Sequence, residues 1–402
     1  MKPSSLYVHV PFCARRCSYC DFAVEATRDA PVDAWLEAVR TELALTAAER
    51  GWDGPLELET LYVGGGTPSL LGTGAMQRFV DVIAPHAVLT PGAEWTCEAN
   101  PESFPLELAL DWRAAGVTRL SLGAQTFDAR ALRWMGRLHG PDGPGEALAA
   151  ARRAGFDNVS IDLIFGLPAR LMRDWAADLD QALELEPDHV SLYGLTAEPG
   201  APLGRWVTEG REALADEDRY ADEYLAAHDR LTRAGFEHYE VSNFGRPGAR
   251  SRHNFVYWSG APYVALGPGA HAYFPPRRRW NLRSWSAYSD ALRADRLPIE
   301  DEEYVDADAS DLERIWLGLR TDGGYAMSGA SAPQRDLVRR WTCNDLATLD
   351  ANTVRLTAAG WLLLDRLALE LHEAGAPAAR PESIDGAASA SQIAANPNPS
   401  CG

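Results

Sequence analysis

The residues best suited to chemistry in this chain are three thiols set close together, in the stretch Cys13-Ala-Arg-Arg-Cys17-Ser-Tyr-Cys20. A C-x3-C-x2-C spacing lets all three sulfurs face one metal centre. Half of the six cysteines fall within the first twenty residues, with no partner thiol at disulfide spacing nearby. That pattern reads as metal ligation and not as a disulfide framework. Two centres suit the triad. Zinc would take a fourth nitrogen or sulfur, and His9, just ahead of the loop, could supply it. An iron–sulfur cluster on three thiolates would leave one iron open to an outside ligand, and the lack of a second C-x-x-C pair favours it over zinc. His9 sits in an alternating apolar run, where a satisfied or solvent-facing histidine is the simpler reading. Cys97, Cys343 and Cys401 are scattered and read as bystanders.

Other polar residues gain meaning from their places in the chain. Gly64-Gly65-Gly66-Thr67-Pro68 follows an apolar run; it would let a ligand approach the backbone and offers free N–H groups to a carboxylate or phosphate. It lacks the Lys-Ser/Thr of a P-loop and the G-x-G-x-x-G spacing, and a plain tight turn explains it equally well. Glu98 and Asp162 could hold hydroxyls or an ammonium, or could be helix caps. Arg137, in Met135-Gly-Arg-Leu-His139, could pair with a carboxylate or stand exposed.

The elements that must position these groups alternate. The periodicity predicts a helix from about 29 to 50, a strand at 58–63, a helix at 76–83 and a strand at 95–98. Helices at 106–115, 146–154 and 175–185 then take turns with strands at 117–122, 159–164 and 189–192. Alternation of this kind argues a parallel sheet with right-handed crossovers, so the fold class is α/β with an incomplete parallel (β/α)6 barrel. Tyr7, the thiols, the glycine run, Glu98 with Asn100, Gln125 and Asp162 fall at or just beyond the C-terminal ends of successive strands. In a parallel barrel those ends form one rim, where ligands bind.

Beyond residue 195 the alternation is less regular, with a helix expected at 217–233 and a Gly-Pro-rich segment at 244–276. The acidic run 300–308 reads as a solvated linker. A small, mainly helical second domain follows, with a strand expected at 352–356. The expected division is 1–240 for the partial barrel, 241–299 for a barrel-extending segment, 300–373 for the C-terminal domain and 374–402 for a disordered tail poor in large apolar residues. Lys and Arg total 38 against 57 acidic residues, a formal charge of -19 that makes nucleic acid a poor partner. No apolar run is long enough to span a membrane, though peripheral membrane contact stays open, and nothing at the N-terminus reads as a signal peptide. Cytoplasm is the default for reduced thiols.

The combination of Tyr7-Val-His-Val-Pro-Phe-Cys-x3-Cys-x2-Cys20, Gly64-Gly-Gly-Thr-Pro68, Leu122-Gly-Ala-Gln-Thr-Phe127 and Asp162-Leu-Ile-Phe-Gly-Leu-Pro168 resembles the radical S-adenosylmethionine (SAM) superfamily. Within it the chain is similar to the branch that holds oxygen-independent coproporphyrinogen III oxidase and its heme-chaperone relatives. The resemblance covers roughly residues 5–372. It implies a [4Fe–4S] cluster on Cys13, Cys17 and Cys20, SAM chelated to the fourth iron, an incomplete barrel and a winged-helix-like C-terminal domain. By matching position, Tyr7, Gly65 and Glu98 are expected on that SAM. Tyr19, Gly66, Thr67, Gln125, Arg137 and Asp162 match a second SAM site of the oxidase, and Thr196 and His271 match it less closely.

The resemblance also separates carrier from enzyme. The oxidase has a fourth cysteine two residues after the third, where this chain has Phe22, and an extension ahead of its first strand, where only six residues precede Tyr7 here. The segment His253-Asn254-Phe-Val-Tyr257-Trp258 resembles the H-N-x-x-Y-W motif of the chaperone branch. His253 could ligate heme iron while Tyr257 and Trp258 stack on the macrocycle; alternatively the aromatics anchor a loop and His253 only hydrogen-bonds. The expected function is a cytoplasmic heme carrier that passes heme to client hemoproteins and lacks coproporphyrinogen III dehydrogenase activity. The alternative is that dehydrogenase itself, and a homodimer is compatible with either.

Overall fold

The computed structural model describes residues 2–375, which fall into two compact units meeting at Val305 and Asp306. The first is organised by a nine-stranded sheet. Its strands are β1 (Ser5–Val10), β2 (Leu56–Gly65), β3 (Ala87–Ala99), β4 (Arg119–Gln125), β5 (Val159–Phe165), β6 (His189–Gly194), β7 (Glu237–Glu240), β8 (Asn243–Gly245) and β9 (Val264–Leu266). The order is β9-β1-β2-β3-β4-β5-β6-β8-β7. From β9 to β6 neighbours run parallel, while β8 joins β6 and β7 antiparallel. The two end strands do not pair with each other, so the barrel is incomplete, as expected. The alternation did not reveal β9, a short parallel strand from the Gly-Pro-rich segment that lies on the outer side of β1.

Local chemistry explains the helices between these strands. Leu106–Ala115 ends at Gly116, whose φ of 107° lets the chain turn away. Asp216 caps Glu217–Arg233 through the Arg219 N–H, at the boundary the sequence predicted. Strand β3 begins eight residues earlier than expected, at Ala87, because its pairing with β2 resumes across an irregularity where Pro91-Gly92 interrupt the ladder.

Alternation along each strand decides what lies on each side of the sheet. Trp95 and Cys97 of β3 and Leu120 and Leu122 of β4 are fully buried on the helix side. There Trp95 meets Phe79, which stacks on Trp35 with centroids 5.6 Å apart. The other face carries Thr60, Tyr62, Glu94, Thr96, Glu98, Arg119, Ser121, Ser160, Asp162, His189 and Ser191, all buried. The lumen is therefore polar where a purely structural barrel would fill it with branched aliphatics.

The acidic run read as a linker is instead a strand, Ile299–Tyr304, antiparallel to Arg277–Asn281. Two of three successive arginines supply the reason: Arg277 pairs with Glu302, and Arg278 with Glu303 at 3.1 Å. Opposite charges facing across a strand pair stabilise it. The second unit packs the helices Ala307–Arg320, Ala332–Cys343 and Leu364–Gly375 with a three-stranded antiparallel sheet, a mainly helical, winged-helix-like arrangement. The strand expected near 352–356 is Thr353–Leu356. The disordered tail expected at 374–402 lies, apart from its first two residues, outside the described residues.

Candidate functional site

The loop between β1 and the helix Val32–Glu49 carries the three thiols to the C-terminal mouth of the barrel. Two short strands, Phe12–Cys13 and Glu25–Ala26, pair at its base, and Ser18 fixes its middle. The Ser18 N–H donates to the Met135 carbonyl at 3.0 Å, and its own carbonyl accepts from the Leu203 N–H at 2.8 Å. Cys13, Cys17 and Cys20 are each partly exposed. Burial, with a contribution from neighbouring cysteines, pushes the Cys13 thiol up to about 11 and the Cys20 thiol up to about 12. Thiols this close are groups whose deprotonated form a bound cation would favour. Among the described residues no three Cys, His, Asp or Glu side chains converge on a point suited to one metal ion. The tetrahedral arrangement with His9 is not formed. His9 is engaged otherwise: its Nε2–H donates to the Ala23 carbonyl at 3.0 Å, and its Nδ1 accepts from the Tyr7 hydroxyl at 3.0 Å. Burial holds its pKa down at about 4, so it is neutral.

Around the thiols stands an upper ring of polar groups. The Thr67 hydroxyl donates to Cys13 Sγ at 3.3 Å and accepts from Asn100 Nδ2 at 3.1 Å. Arg137 Nη2 donates to Asn100 Oδ1 and to the Gly123 carbonyl, both at 2.6 Å, while Nη1 lies 3.9 Å from Cys17 Sγ. Burial disfavours the charge of Arg137, yet Tyr19, Cys17 and Glu102 around it hold its pKa above the ordinary arginine value. Its loop is pinned by His139, whose Nε2 bonds the Ala124 carbonyl and whose Nδ1 lies 3.2 Å from Glu102. Gln125 has a φ of 68°, beside an irregularity in the pairing of β4 with β5. A left-handed conformation at a non-glycine residue on a strand end is a strain that functional sites tolerate. Ala14, Arg15, Cys17, Asn100, Glu102, Gly136, Arg137 and Leu138 line a recess here.

A lower ring lies inside the mouth. Glu98 accepts from the Tyr62 hydroxyl at 2.6 Å and from the Gly65 N–H at 2.8 Å. Burial raises its pKa to about 7. Asp162 accepts from Ser121 at 2.9 Å on each oxygen and from Ser160 at 3.1 Å, and burial raises its pKa as well. The glycine run is explained by crowding. A Cβ on Gly64 would lie 2.6 Å from the Glu98 carboxyl, one on Gly65 2.2 Å from the His9 ring, and one on Gly66 2.5 Å from the Val10 carbonyl.

The structure thus brings Tyr7, Tyr19, Gly65, Gly66, Thr67, Glu98, Gln125, Arg137 and Asp162 to the same end of the barrel as the thiols. Asn100, His139, Glu102, Tyr62 and Ser121 belong with them. The sequence signal for Asn100 was its place two residues beyond Glu98; the others had none apart from strand alternation. Thr196 bonds Glu198 in its own exposed loop, and His271 stacks on Trp280 with centroids 5.5 Å apart.

His253, Asn254, Tyr257 and Trp258 are elsewhere. They form a short helix, Arg252–Trp258, capped by Ser251 and by Glu94, which accepts from the Arg252 and His253 N–H groups. Glu94 precedes Glu98 by four residues on the same strand, two periods of its alternation, so this helix lies toward the N-terminal end of the barrel and away from the thiols. His253 is fully buried, and both ring nitrogens are bonded, Nδ1 to Thr60 at 2.9 Å and Nε2 to the Tyr257 hydroxyl at 2.9 Å. Thr60 donates its own proton to Ser5 at 2.9 Å, so His253 carries its proton on Nδ1 and accepts the Tyr257 proton on Nε2. In this arrangement the free electron pair of His253 Nε2 is taken up by the Tyr257 hydroxyl.

Comparison with known proteins agrees with this geometry. Residues 7–182 match the family model described as the radical SAM superfamily. The heme chaperone HemW of Mycobacterium tuberculosis is 40% identical, the match covering 90% of this chain and 93% of that one. Its Bacillus subtilis counterpart is 34% identical, with 80% and 84% covered. The solved structure of coproporphyrinogen III oxidase (HemN) from Escherichia coli, a radical SAM enzyme, superposes with a TM-score of 0.77 at 22% identity, over 92% of this chain and 90% of that one. With the thiol triad, the glycine run and the incomplete barrel in place, the chain belongs to the HemW family within the radical SAM superfamily.

Proposed function

We propose that the protein is a heme carrier that binds heme and delivers it to client hemoproteins in the cytoplasm, with a [4Fe–4S] cluster and SAM as its other cofactors. The observation that carries this reading is the likeness to proteins named heme chaperones over nine-tenths of the chain. Phe22 adds to it: where the oxidase has a fourth cysteine, a phenyl ring can neither transfer a proton nor ligate a metal. Cys13, Cys17 and Cys20 would hold the cluster, which when bound supplies an open iron for the amino-acid end of SAM and an electron for its sulfonium.

The residues at the mouth have roles within this proposal. The Thr67 hydroxyl and the Arg137 guanidinium stabilise negative charge on the sulfurs of Cys13 and Cys17. Glu98, Gly65 and Tyr7 orient the cationic ammonium of SAM. Tyr19, Gly66, Thr67, Gln125, Arg137 and Asp162 frame a second site of the same chemistry. Heme contact by His253, Asn254, Tyr257 and Trp258 requires the Tyr257 hydroxyl to leave His253 Nε2. Nδ1–H on Thr60 then becomes the partner that orients the ring, and Nε2 becomes the ligand.

The test is made on anaerobically reconstituted protein. Titration with heme is expected to give a saturable absorption band, and coproporphyrinogen III with SAM is expected to yield no protoporphyrinogen IX. Many-turnover product formation would assign the chain to the dehydrogenase instead. A heme band identical in wild type and His253→Ala would remove His253 as ligand and leave the carrier reading standing.

A further inference from the structure

Histidine ligates heme iron through a nitrogen with an unshared electron pair, and most histidines of this chain have none to spare. His9, His139, His189, His238 and His253 each bond through both ring nitrogens, and His372 faces Asp308 at 3.3 Å. His86, His228 and His271 remain. Among the described residues His86 touches no aromatic ring, and His228 touches one, that of His238. His271 stands in richer surroundings. It opens the strand His271–Phe274, which runs antiparallel to Arg277–Asn281 and sets His271 opposite Trp280. Its ring stacks on Trp280 with the planes 21° apart, and neither ring nitrogen is hydrogen-bonded among the described residues. Burial, with Arg278 and Arg283 nearby, holds its pKa down at about 4, so the imidazole is neutral and one nitrogen keeps its electron pair.

The face around His271 suits a flat apolar group. Strand alternation puts His271 and Tyr273 on one side of the sheet with Trp280 and Arg278 opposite them, and all four are partly exposed. Ala272 and Arg279, on the other side, are buried. Tyr273 meets Tyr263 with centroids 6.5 Å apart, Tyr263 meets Tyr257 at 4.7 Å, and Tyr257 meets Trp258 at 6.2 Å. A run of rings thus leads from Trp258 to Tyr273, two residues from His271 on the same face. Positive charge stands in the same place: the Arg278 guanidinium carbon lies 5.6 Å from the Tyr273 ring centroid, and Arg278 pairs with Glu303 at 3.1 Å. Aromatic surface beside an arginine matches a flat macrocycle that bears carboxylates. We propose that this face binds heme, with His271 as an axial ligand of the iron, Tyr273 and Trp280 against the macrocycle and Arg278 toward a propionate. The proposal rests on the reading of the protein as a heme carrier, and it needs none of the rearrangement that ligation by His253 does. Ligation exchanges a water on ferric iron for a neutral imidazole, so no proton is released and the iron keeps its oxidation state.

The experiment titrates ferric heme into reconstituted wild type, His271→Ala and His271→Gln, and reads absorption and electron paramagnetic resonance spectra against the same protein without heme. Wild type is expected to show a histidine-ligated ferric heme. Both variants are expected to lose that signature and to bind at least about tenfold more weakly, since losing even a residue that supports a metal ligand costs that much. Either variant suffices if the other fails to fold. Added imidazole should restore the wild-type spectrum in His271→Ala, a rescue that a merely structural role would not allow. Iron-free protoporphyrin IX, followed by its fluorescence, should bind wild type and His271→Ala alike; an equal loss for the iron-free ring would show that His271 shapes the face and does not ligate. A heme spectrum and affinity unchanged in both variants would overturn the proposal and leave the carrier reading in place. Wild type that takes up no heme would overturn that reading itself.

Discussion

Gly65 ties the chemistry of the mouth to backbone conformation. Its φ of 99° is open to glycine and strained for other residues, and a Cβ there would strike the His9 ring. His9 in turn holds the Ala23 carbonyl, just past Cys20. Gly65→Val is therefore expected to displace the thiol loop and lower iron content as well as SAM binding. Glu98→Gln keeps a side chain of the same size and should weaken SAM binding while leaving iron content within experimental error of wild type. Iron and sulfide analysis of both variants after anaerobic reconstitution checks this; equal iron loss in Glu98→Gln would place Glu98 in the support of the loop. The thiols, the glycine run, Glu98 and Asp162 were legible because types and spacings announce themselves along the chain. Arg119 and His139 were not, because an arginine or a histidine in a sequence looks the same whether it is exposed or fully enclosed. His253 shows the same limit: its motif named the residues but not the Tyr257 hydroxyl that bonds its Nε2.

Between elements, a single carboxylate does much of the joining. Glu42, on the helix Val32–Glu49, accepts from the Gly267 N–H at 2.8 Å, from Asn281 Nδ2 at 2.5 Å and from the Tyr288 hydroxyl at 2.5 Å. It thereby connects the loop after β9, the strand Arg277–Asn281 and the helix Trp285–Arg293. Burial pushes its pKa up to about 7 from an ordinary 4.5. The folded state thus keeps a proton that the unfolded chain releases, so this contribution to stability is present at pH below 4.5 and is lost as pH rises through about 7. Glu42→Gln removes that slope and also sets an amide donor against one of three donors, at a cost of about 1–3 kcal/mol. Urea denaturation of wild type and variant across this pH range measures both effects, and parallel pH profiles would show that Glu42 does not titrate. Helices and parallel strands were readable from periodicity and caps because each depends on neighbours a few residues away. The strand Ile299–Tyr304 was not, since its charges look solvated until Arg277 and Arg278 are seen opposite.

At the scale of the whole chain, the formal charge of -19 means that acidic groups repel one another across the folded surface. Salt screens that repulsion over a Debye length of about 10 Å at 0.1 M. The melting temperature is expected to rise as ionic strength is brought from low to physiological, and a fall would point to surface pairs such as Arg277 with Glu302 as the larger influence. The order of the fold also bears on when the cysteines become useful. Their loop leaves the ribosome well before the residues whose backbone bonds seat Ser18, which are Met135 and Leu203. Until Leu203 has been synthesised, the thiols have sequence proximity but no mouth to sit in. Insertion of a cluster on these thiols would thus await the arrival of a distant segment, and nascent chains halted before residue 203 are expected to take up iron poorly where longer ones succeed. A protein built this way has a natural check against loading a metal cofactor onto an unfinished chain.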